Sequence, residues 1–225
     1  MITENIFLTQ DVTKLSDESR QHLGLLITAN KPISGLPWFI QEGAWWILDN
    51  GAFTKQGFIK EYWEEWLDFM REQDSEIFDK CLCVVIPDVV ANAKKTLDQF
   101  NDYNPLVKLQ GFKTALVTQN GMKKDMIPWD EFDVLFIGGD DDHKMGLEAA
   151  YLIGEGLKRG KHIHVGRVNT EYRLLKFWHC HTWDGTALTI KPEKYESIII
   201  NGVKAVINKK HEMANSPMLF NLSHT

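Results

Sequence analysis

Short, almost continuously apolar runs alternate with stretches of helical periodicity along this chain, and this alternation restricts its fold more than any other feature. Because strict polar and apolar alternation is missing from these runs, both faces of each strand should be covered, as in a parallel sheet. Asn92 and Thr170 are predicted N-caps. The predicted strands lie at 22–30, 45–53, 81–90, 113–122, 132–141 and 161–168, and the helices between them at 58–73, 92–100, 143–160 and 170–180.

Repeated strand–helix units predict an α/β protein with a parallel sheet. A short strand at "HTWD" (181–184) and a last strand or hairpin at "SIIINGVKAVI" (197–207) bring the count close to eight. The prediction is one domain over residues 1–225, a compact (β/α)8 TIM-like barrel. We expect irregularity at its C-terminus, because such barrels typically take about 250 residues. An open doubly wound sheet is the alternative.

The composition favours a folded protein in a reducing compartment. The chain has 225 residues, of which 44% are hydrophobic and 25% charged, and this suits a single domain. No apolar run is long enough to cross a membrane, and the first residues lack the pattern of a signal peptide. Three cysteines do not make a disulfide framework. We therefore expect a cytoplasmic protein with no membrane partner.

The net charge of −6 conceals an asymmetry. Residues 155–225 carry 11 Lys and Arg against 6 Asp and Glu, whereas the remainder carries 14 against 25. A basic C-terminal third can face a phosphate backbone while the rest of the surface repels it. Ordinary solvated surfaces would give the same counts.

Polar or glycine residues follow each predicted strand. In a barrel the carboxyl ends of all strands meet at one face, where the active site lies. Asp and Gly also make good turns, so any single occurrence means little. Their recurrence after successive strands indicates an assembled site, whose candidates include Asp49, Asn50, Asp88, Gln119, Gly138, Gly139 and Asp184.

Several carboxylates in one pocket suit covalent and acid–base chemistry at a sugar anomeric carbon. Carboxylates also accept hydrogen bonds from the ring N–H and NH2 groups of a guanine-type edge, and a glutamine amide can donate to its carbonyl. No metal site is predicted, because His179, Cys180 and His181 have no second cluster at ligand spacing. The acidic run 140–143 could hold Mg²⁺, but a loop and a helix N-cap explain it equally well.

Five motifs in series resemble the tRNA-guanine transglycosylase superfamily, and most of all its compact bacteriophage relatives that insert 7-deazaguanine into DNA. The chain has "LDNGAF" for an Asp-Ser-Gly-Gly-Phe/Tyr motif and "VVIPDVV" for a strand whose Asp binds guanine. It has "ALVTQNG" for Val-Gln-Gly, "FIGGDDD" for Gly-Gly-Leu and "HTWDG" for Phe-Asp-Cys. The order and rough spacing agree from Asp49 to Asp184.

The resemblance implies roles for these residues. Asp184 would be the nucleophile and Asp49 a second catalytic carboxylate, while Trp183 would shield the site and Gly185 would admit the sugar-phosphate. The remaining implied substrate contacts are Asn50, Asp88, Gln119, Gly138 and Gly139. Base exchange needs no cofactor beyond the free 7-deazaguanine co-substrate. For phosphate contacts we predict Arg167, Arg173 and Lys176.

Departures from the family pattern bear on the polymer substrate. Asn50 and Ala52 replace Ser and Gly, and the Pro-Thr-Arg run after the nucleophile is missing. No cysteine follows Cys180, so the zinc site of the tRNA enzymes has no counterpart. The prediction is therefore DNA as partner, with tRNA as the alternative, in a bacterial host cytoplasm. Two other classes stay open: a glycoside hydrolase with two carboxylates, and a non-catalytic nucleobase- or DNA-binding subunit.

Overall fold

Eight parallel strands close into a barrel in the computed structural model, which describes residues 6–215. The last strand pairs with the first, with Leu8 beside Asp184, and this pairing closes the sheet. The (β/α)8 prediction is confirmed and the open doubly wound sheet is excluded. The predicted domain, 1–225, extends past both ends of the described residues. The strands are β1 (Ile6–Thr9), β2 (Leu23–Thr28), β3 (Trp46–Asp49), β4 (Cys81–Val85), β5 (Thr114–Thr118), β6 (Val134–Ile137), β7 (His162–Val165) and β8 (Thr182–Asp184).

Helices of very different length connect the strands. Asn92 and Thr170 cap their helices as predicted, each accepting a backbone N–H three residues on. The helices are α1 (Asp17–Arg20), α2 (Trp38–Gln41), α3 (Lys60–Arg71), α4 (Ser75–Phe78), α5 (Ala93–Leu109), α6 (Asp141–Met145), α7 (Leu147–Lys158), α8 (Glu171–Lys176), α9 (Ala187–Ile190) and α10 (Pro192–Ala214).

The core has two layers because successive side chains of a strand point to opposite faces. One layer fills the barrel interior, with Leu8, Ile47, Val117 and Phe136 among its members. The larger layer lies between the strands and the surrounding helices and holds most of the buried aromatic rings. Strands that are buried on both faces explain the continuous apolar runs of the sequence.

The predicted last strand at 197–207 is wrong, because this segment lies within α10. Ile199, Val203 and Val206 recur at helical spacing and are buried, and α10 packs against α8 and α9. The missing strand is β1 at the other end of the chain, where Ile6–Thr9 pairs with both β2 and β8.

Short elements interrupt the regular strand–helix alternation at several places, including the C-terminal part, where the four-residue helix α9 follows the three-residue strand β8. Single-turn helices α1 and α2 follow β1 and β2, and the connection from β5 to β6 holds only a 3-10 turn, Lys124–Met126. The described residues end in α10, which with 23 residues is the longest of these helices. Over residues 6–215, no helix combines the length and apolarity needed to cross a membrane.

Candidate active site

A cavity of about 250 Å³ lies at the carboxyl end of the barrel and is lined from all eight strands or the loops that follow them. Apolar interior side chains, Leu8, Leu26, Val85, Val117 and Phe136, supply much of its wall. The barrel brings most of the sequence-predicted site residues to this one place. Those that line the cavity are Asp49, Asn50, Asp88, Gln119, Gly138, Gly139, Arg167 and Asp184.

Asp184 ends β8 and is held at both carboxylate oxygens. Its Oδ2 lies 2.8 Å from Nε2 of His164, and its Oδ1 accepts a hydrogen bond of 2.9 Å from the backbone N–H of Arg167. Arg167 adopts a left-handed backbone with φ of 58°, which is uncommon for a residue other than glycine. The side chain of Asp184 keeps 13% exposure. A carboxylate that is oriented in this way and still accessible can act as a nucleophile.

Asp49 ends β3 and faces the same cavity. Burial, followed by the negative charges of Asp184 and Asp88, raises the pKa of Asp49 to about 7. The backbone N–H of Gly51 donates to its Oδ2 at 3.2 Å and opposes this shift. A carboxyl group with a pKa near neutrality can both give and take a proton, which is what acid–base catalysis requires.

Asp88, Asn50 and Gln119 form one hydrogen-bonded network. Asn50 Nδ2 donates to Oδ1 of Asp88 at 2.9 Å, and Gln119 Nε2 donates to Oδ2 at 2.6 Å. The backbone N–H of Ala91 donates to Gln119 Oε1 at 2.8 Å, so this amide has a fixed orientation. Burial raises the pKa of Asp88 to about 6 although both amides lower it. Asp88 is therefore a hydrogen-bond acceptor that two amides hold in place, and it is largely ionised at pH 7.

The glycine pair after β6 is required by close packing of the protein itself. A Cβ on Gly138 would lie 2.5 Å from Cγ1 of Val117 and 2.9 Å from the carbonyl oxygen of Thr118. Gly139 has φ of +72°, and a Cβ there would lie 2.7 Å from the ring of His143. Side chains are thus excluded from this edge of the cavity, and its contact with a base stays a prediction.

Trp183 does not contact the cavity, which corrects its predicted role as a shield. It lies between two inward-facing residues of β8, so its side chain points outward into the layer under the helices. There it is fully buried, and its Nε1 donates to the carbonyl oxygen of Phe177 at 3.2 Å. Gly185 does line the cavity, but a Cβ there would collide with Oδ1 of Asn169.

Arg173 and Lys176 lie on α8 and do not line the cavity. Arg173 forms an ion pair of 2.6 Å with Asp141, and its Nη1 donates to the carbonyl oxygen of Arg167 at 3.2 Å. Lys176 donates to the carbonyl oxygen of Met145 at 2.9 Å. Contact of these cations with phosphate stays a prediction.

Phe53 and Lys144 are among the cavity residues that the sequence analysis did not predict. Phe53 is 58% exposed, and the Arg167 guanidinium lies 3.9 Å from its ring centroid. Its signal was available, since it ends the "LDNGAF" motif. Lys144 is 1% exposed and donates to the carbonyl oxygen of Gly166. Burial, and then the charge of Arg167, lowers its pKa to about 8, so it places a positive charge near Asp184.

All three cysteines are free and buried. Asp140, in the acidic run 140–143, caps α6 by accepting the backbone N–H of His143 at 2.8 Å. Among residues 6–215, no three or more His, Cys, Asp or Glu side chains are grouped as metal ligands would be.

No protein-family model matches the chain, and a comparison with curated proteins finds no match. Function is therefore inferred from the geometry and chemistry of the cavity, together with the motif resemblance.

Proposed function

We propose that the protein is a DNA-guanine transglycosylase, a pentosyltransferase that exchanges guanine in DNA for a 7-deazaguanine base. One observation carries the proposal: Asp184, Asp49 and the amide-braced Asp88 line a single apolar-walled cavity of about 250 Å³, a size that suits one nucleobase. The resemblance of the strand-end motifs gives these three carboxylates distinct roles. The free 7-deazaguanine is the co-substrate, and no further cofactor is invoked.

Asp88 suits the guanine edge, because it is an acceptor that the protein holds in place. Guanine presents a ring N–H and an exocyclic NH2 side by side, and an ionised carboxylate can accept from both. Each oxygen of Asp88 already accepts one amide hydrogen bond and retains a further lone pair. Gln119 Nε2 has a second hydrogen, which can reach the carbonyl of the base.

In the first step, a carboxylate oxygen of Asp184 attacks C1′ of the deoxyribose. The C1′–N9 bond breaks and its electron pair stays on the departing guanine. Asp49, whose pKa is about 7, supplies the proton that neutralises this base. The product is a glycosyl ester of Asp184 on an otherwise intact strand.

In the second step, the free 7-deazaguanine occupies the vacated cavity and gives its N9 proton to Asp49. N9 then attacks C1′, and the ester bond breaks with return of its electron pair to Asp184. One glycosidic bond replaces another, so neither ATP nor a redox reagent is needed.

A base inside a duplex cannot reach a cavity at the end of a barrel, so the target nucleotide must leave the stack. Arg167 lines the cavity and Arg173 contacts its carbonyl oxygen, and we propose that these cations and Lys176 contact the flanking phosphates. The resemblance to bacteriophage enzymes makes a bacterial host cytoplasm the proposed place of action.

The proposal is tested by exchange of labelled guanine into duplex DNA, with tRNA in a parallel reaction. We expect label in DNA with the wild type and none with Asp184→Asn, which loses the charged nucleophile but keeps its shape. Asp102→Asn is the matched control, since Asp102 is exposed on the outer helix α5, and it should exchange as the wild type does.

Label in tRNA alone would identify tRNA, and not DNA, as the polymer substrate. If neither polymer takes up label although the protein still binds base or DNA, the proposed transglycosylase activity is contradicted and a non-catalytic binding subunit is favoured.

A further inference from the structure

Three polar side chains lie below Asp184 inside the barrel, where apolar packing is otherwise the rule. His164 and Thr182 have no exposed surface, and His162 is half-buried. His162 and His164 are two residues apart in β7, so both point to the same face, and Thr182 lies beside them in β8. Buried polar groups are costly without partners, so a contiguous set of them calls for a reason.

The three side chains form a continuous chain of hydrogen bonds that ends on Asp184. His164 Nε2 lies 2.8 Å from Oδ2 of Asp184, and His164 Nδ1 lies 2.9 Å from Oγ1 of Thr182. The same Thr182 oxygen lies 2.9 Å from Nε2 of His162. Thr182 is therefore the single link between the two imidazoles.

The chemistry of each group fixes the direction of these bonds when Asp184 is ionised. A carboxylate only accepts, so the hydrogen of a neutral His164 is on Nε2 and its Nδ1 is an acceptor. The Thr182 hydroxyl must then donate to Nδ1, and its oxygen accepts from Nε2–H of His162. Burial and the neighbouring His181 lower the pKa of His162 to about 3, which keeps this imidazole neutral.

We propose that His164 is a positioning residue for the nucleophile, and that Thr182, itself bonded to His162, fixes the orientation of the His164 ring. This inference rests on the proposed function, because the carboxylate that the hydrogen bonds orient is the one that would attack C1′. His164 is not the general base: its Nε2 faces the carboxylate and its Nδ1 faces Thr182, so neither nitrogen faces the cavity. With the backbone N–H of Arg167 on Oδ1, His164 holds the carboxylate plane at both oxygens.

The test removes the link without removing either histidine. Thr182→Val replaces the hydroxyl by a methyl group of similar size, and Thr182→Ser is the matched control that keeps it. Nitrogen-15 NMR of labelled histidines in the whole protein reports the tautomer of His162 and His164 without any substrate. We expect Nε2–H on both imidazoles in the wild type and in Thr182→Ser. In Thr182→Val we expect His164 to keep Nε2–H, because Asp184 still accepts from it, and His162, which loses its acceptor, to show a mixed population of tautomers.

Kinetics supply the second readout. A nucleophile that is misplaced loses about a hundredfold in rate. We expect kcat for base exchange to fall by about that factor in Thr182→Val, with KM for the free base little changed, and to stay near the wild-type value in Thr182→Ser. Circular dichroism and the melting temperature identify a variant that has lost its fold, in which case kcat is compared in His164→Phe, which keeps an aromatic ring but cannot donate to Asp184.

The outcomes separate this inference from the proposed function. An imidazolium or an Nδ1–H tautomer at His164 in the wild type would contradict the proposed series of hydrogen bonds, whatever the activity. A wild-type kcat in Thr182→Val overturns the positioning role. Absence of base exchange in the wild type would instead contradict the proposed function. The NMR spectra would still decide whether the hydrogen bonds from His162 through Thr182 and His164 to Asp184 have the proposed directions.

Discussion

Three aspartates of one cavity differ in what surrounds them. Asp184 is held by an imidazole and a backbone N–H, and Asp88 by two side-chain amides. Burial, followed by the negative charges of Asp184 and Asp88, raises the pKa of Asp49 to about 7. Neighbouring carboxyl groups whose environments differ in this way can serve as nucleophile, acceptor and proton carrier.

Asp49→Asn should stabilise the protein at pH 8 while abolishing base exchange. The pKa of Asp49 rises from 3.8 to about 7 on folding, so its native state binds a proton that the unfolded chain releases between these values. The free energy of unfolding of the wild type therefore falls as pH rises through this window. Asparagine carries no such charge, and it can still accept the Gly51 N–H.

The measurement is thermal or urea unfolding from pH 4 to pH 8. The advantage of Asp49→Asn should be small at pH 4 and reach roughly 2–4 kcal/mol above pH 7, since each pKa unit is worth about 1.4 kcal/mol. Asp102→Asn, the exposed control, should show no such trend. An advantage that is constant with pH, or that shrinks as pH rises, would contradict the raised pKa.

At the scale of single residues, strand-end position was a good guide to the site and side-chain direction was not. Asp49, Asp88, Gln119 and Asp184 follow predicted strands, so the barrel alone brings them together. The role of Trp183 was predicted wrongly because a strand of three residues is too short for its sequence to show which side chains face the barrel interior. Lys144 was missed because a lysine in a helix ordinarily remains in solvent.

At the scale of elements, the end of β6 limits the size of the cavity. Gly138 directly follows this strand and lies against Val117 and Thr118 of the neighbouring strand β5. No rotamer change can relieve contact of an added methyl with the Thr118 carbonyl oxygen, because that oxygen belongs to the backbone. The two strands would have to separate, or the loop after β6 would have to move.

Gly138→Ala should lower both stability and activity. We expect a loss of about 1–3 kcal/mol in the free energy of unfolding, as is usual for overpacking, and weaker binding of the free base. Gly154→Ala is the control, because Gly154 is in α7 with no neighbour close to an added Cβ. Alanine should stabilise that helix by roughly 0.5–1 kcal/mol. Unfolding curves check both values, and a Gly138→Ala protein as stable as the wild type would refute the close packing.

Most strands of the fold could be predicted, and the two errors in strand assignment have physical causes. β1 was missed because its apolar run has only three residues, 6–8, and polar residues stand on both sides of it. The run Ile198–Ile200 in α10 is β-branched, which favours strand, yet the buried Ile199, Val203 and Val206 follow helical spacing. Packing of α10 against α8 outweighs local preference, because burial of one apolar stripe stabilises a helix more than propensity does.

At the scale of the whole molecule, closure of the barrel and the distribution of charge work together. Closure converts eight separate strand ends into one cavity. The basic residues of the C-terminal third include Arg167, which lines that cavity, and Arg173, which contacts Arg167, while the rest of the chain is acidic. Such an arrangement would direct a polyanion toward the site and disfavour its binding elsewhere. The charge asymmetry was evident in the sequence, but its position relative to the site required the fold.

The most direct test of the central claim is a search for the covalent bond to Asp184. The protein is incubated with guanine-containing duplex DNA without added base, quenched in denaturant, and weighed intact by mass spectrometry. A protein–DNA adduct should form with the wild type and with Asp102→Asn, and should be lost with Asp184→Asn. An adduct that survives in Asp184→Asn, or base exchange that continues in it, would contradict the assignment of Asp184 as the nucleophile.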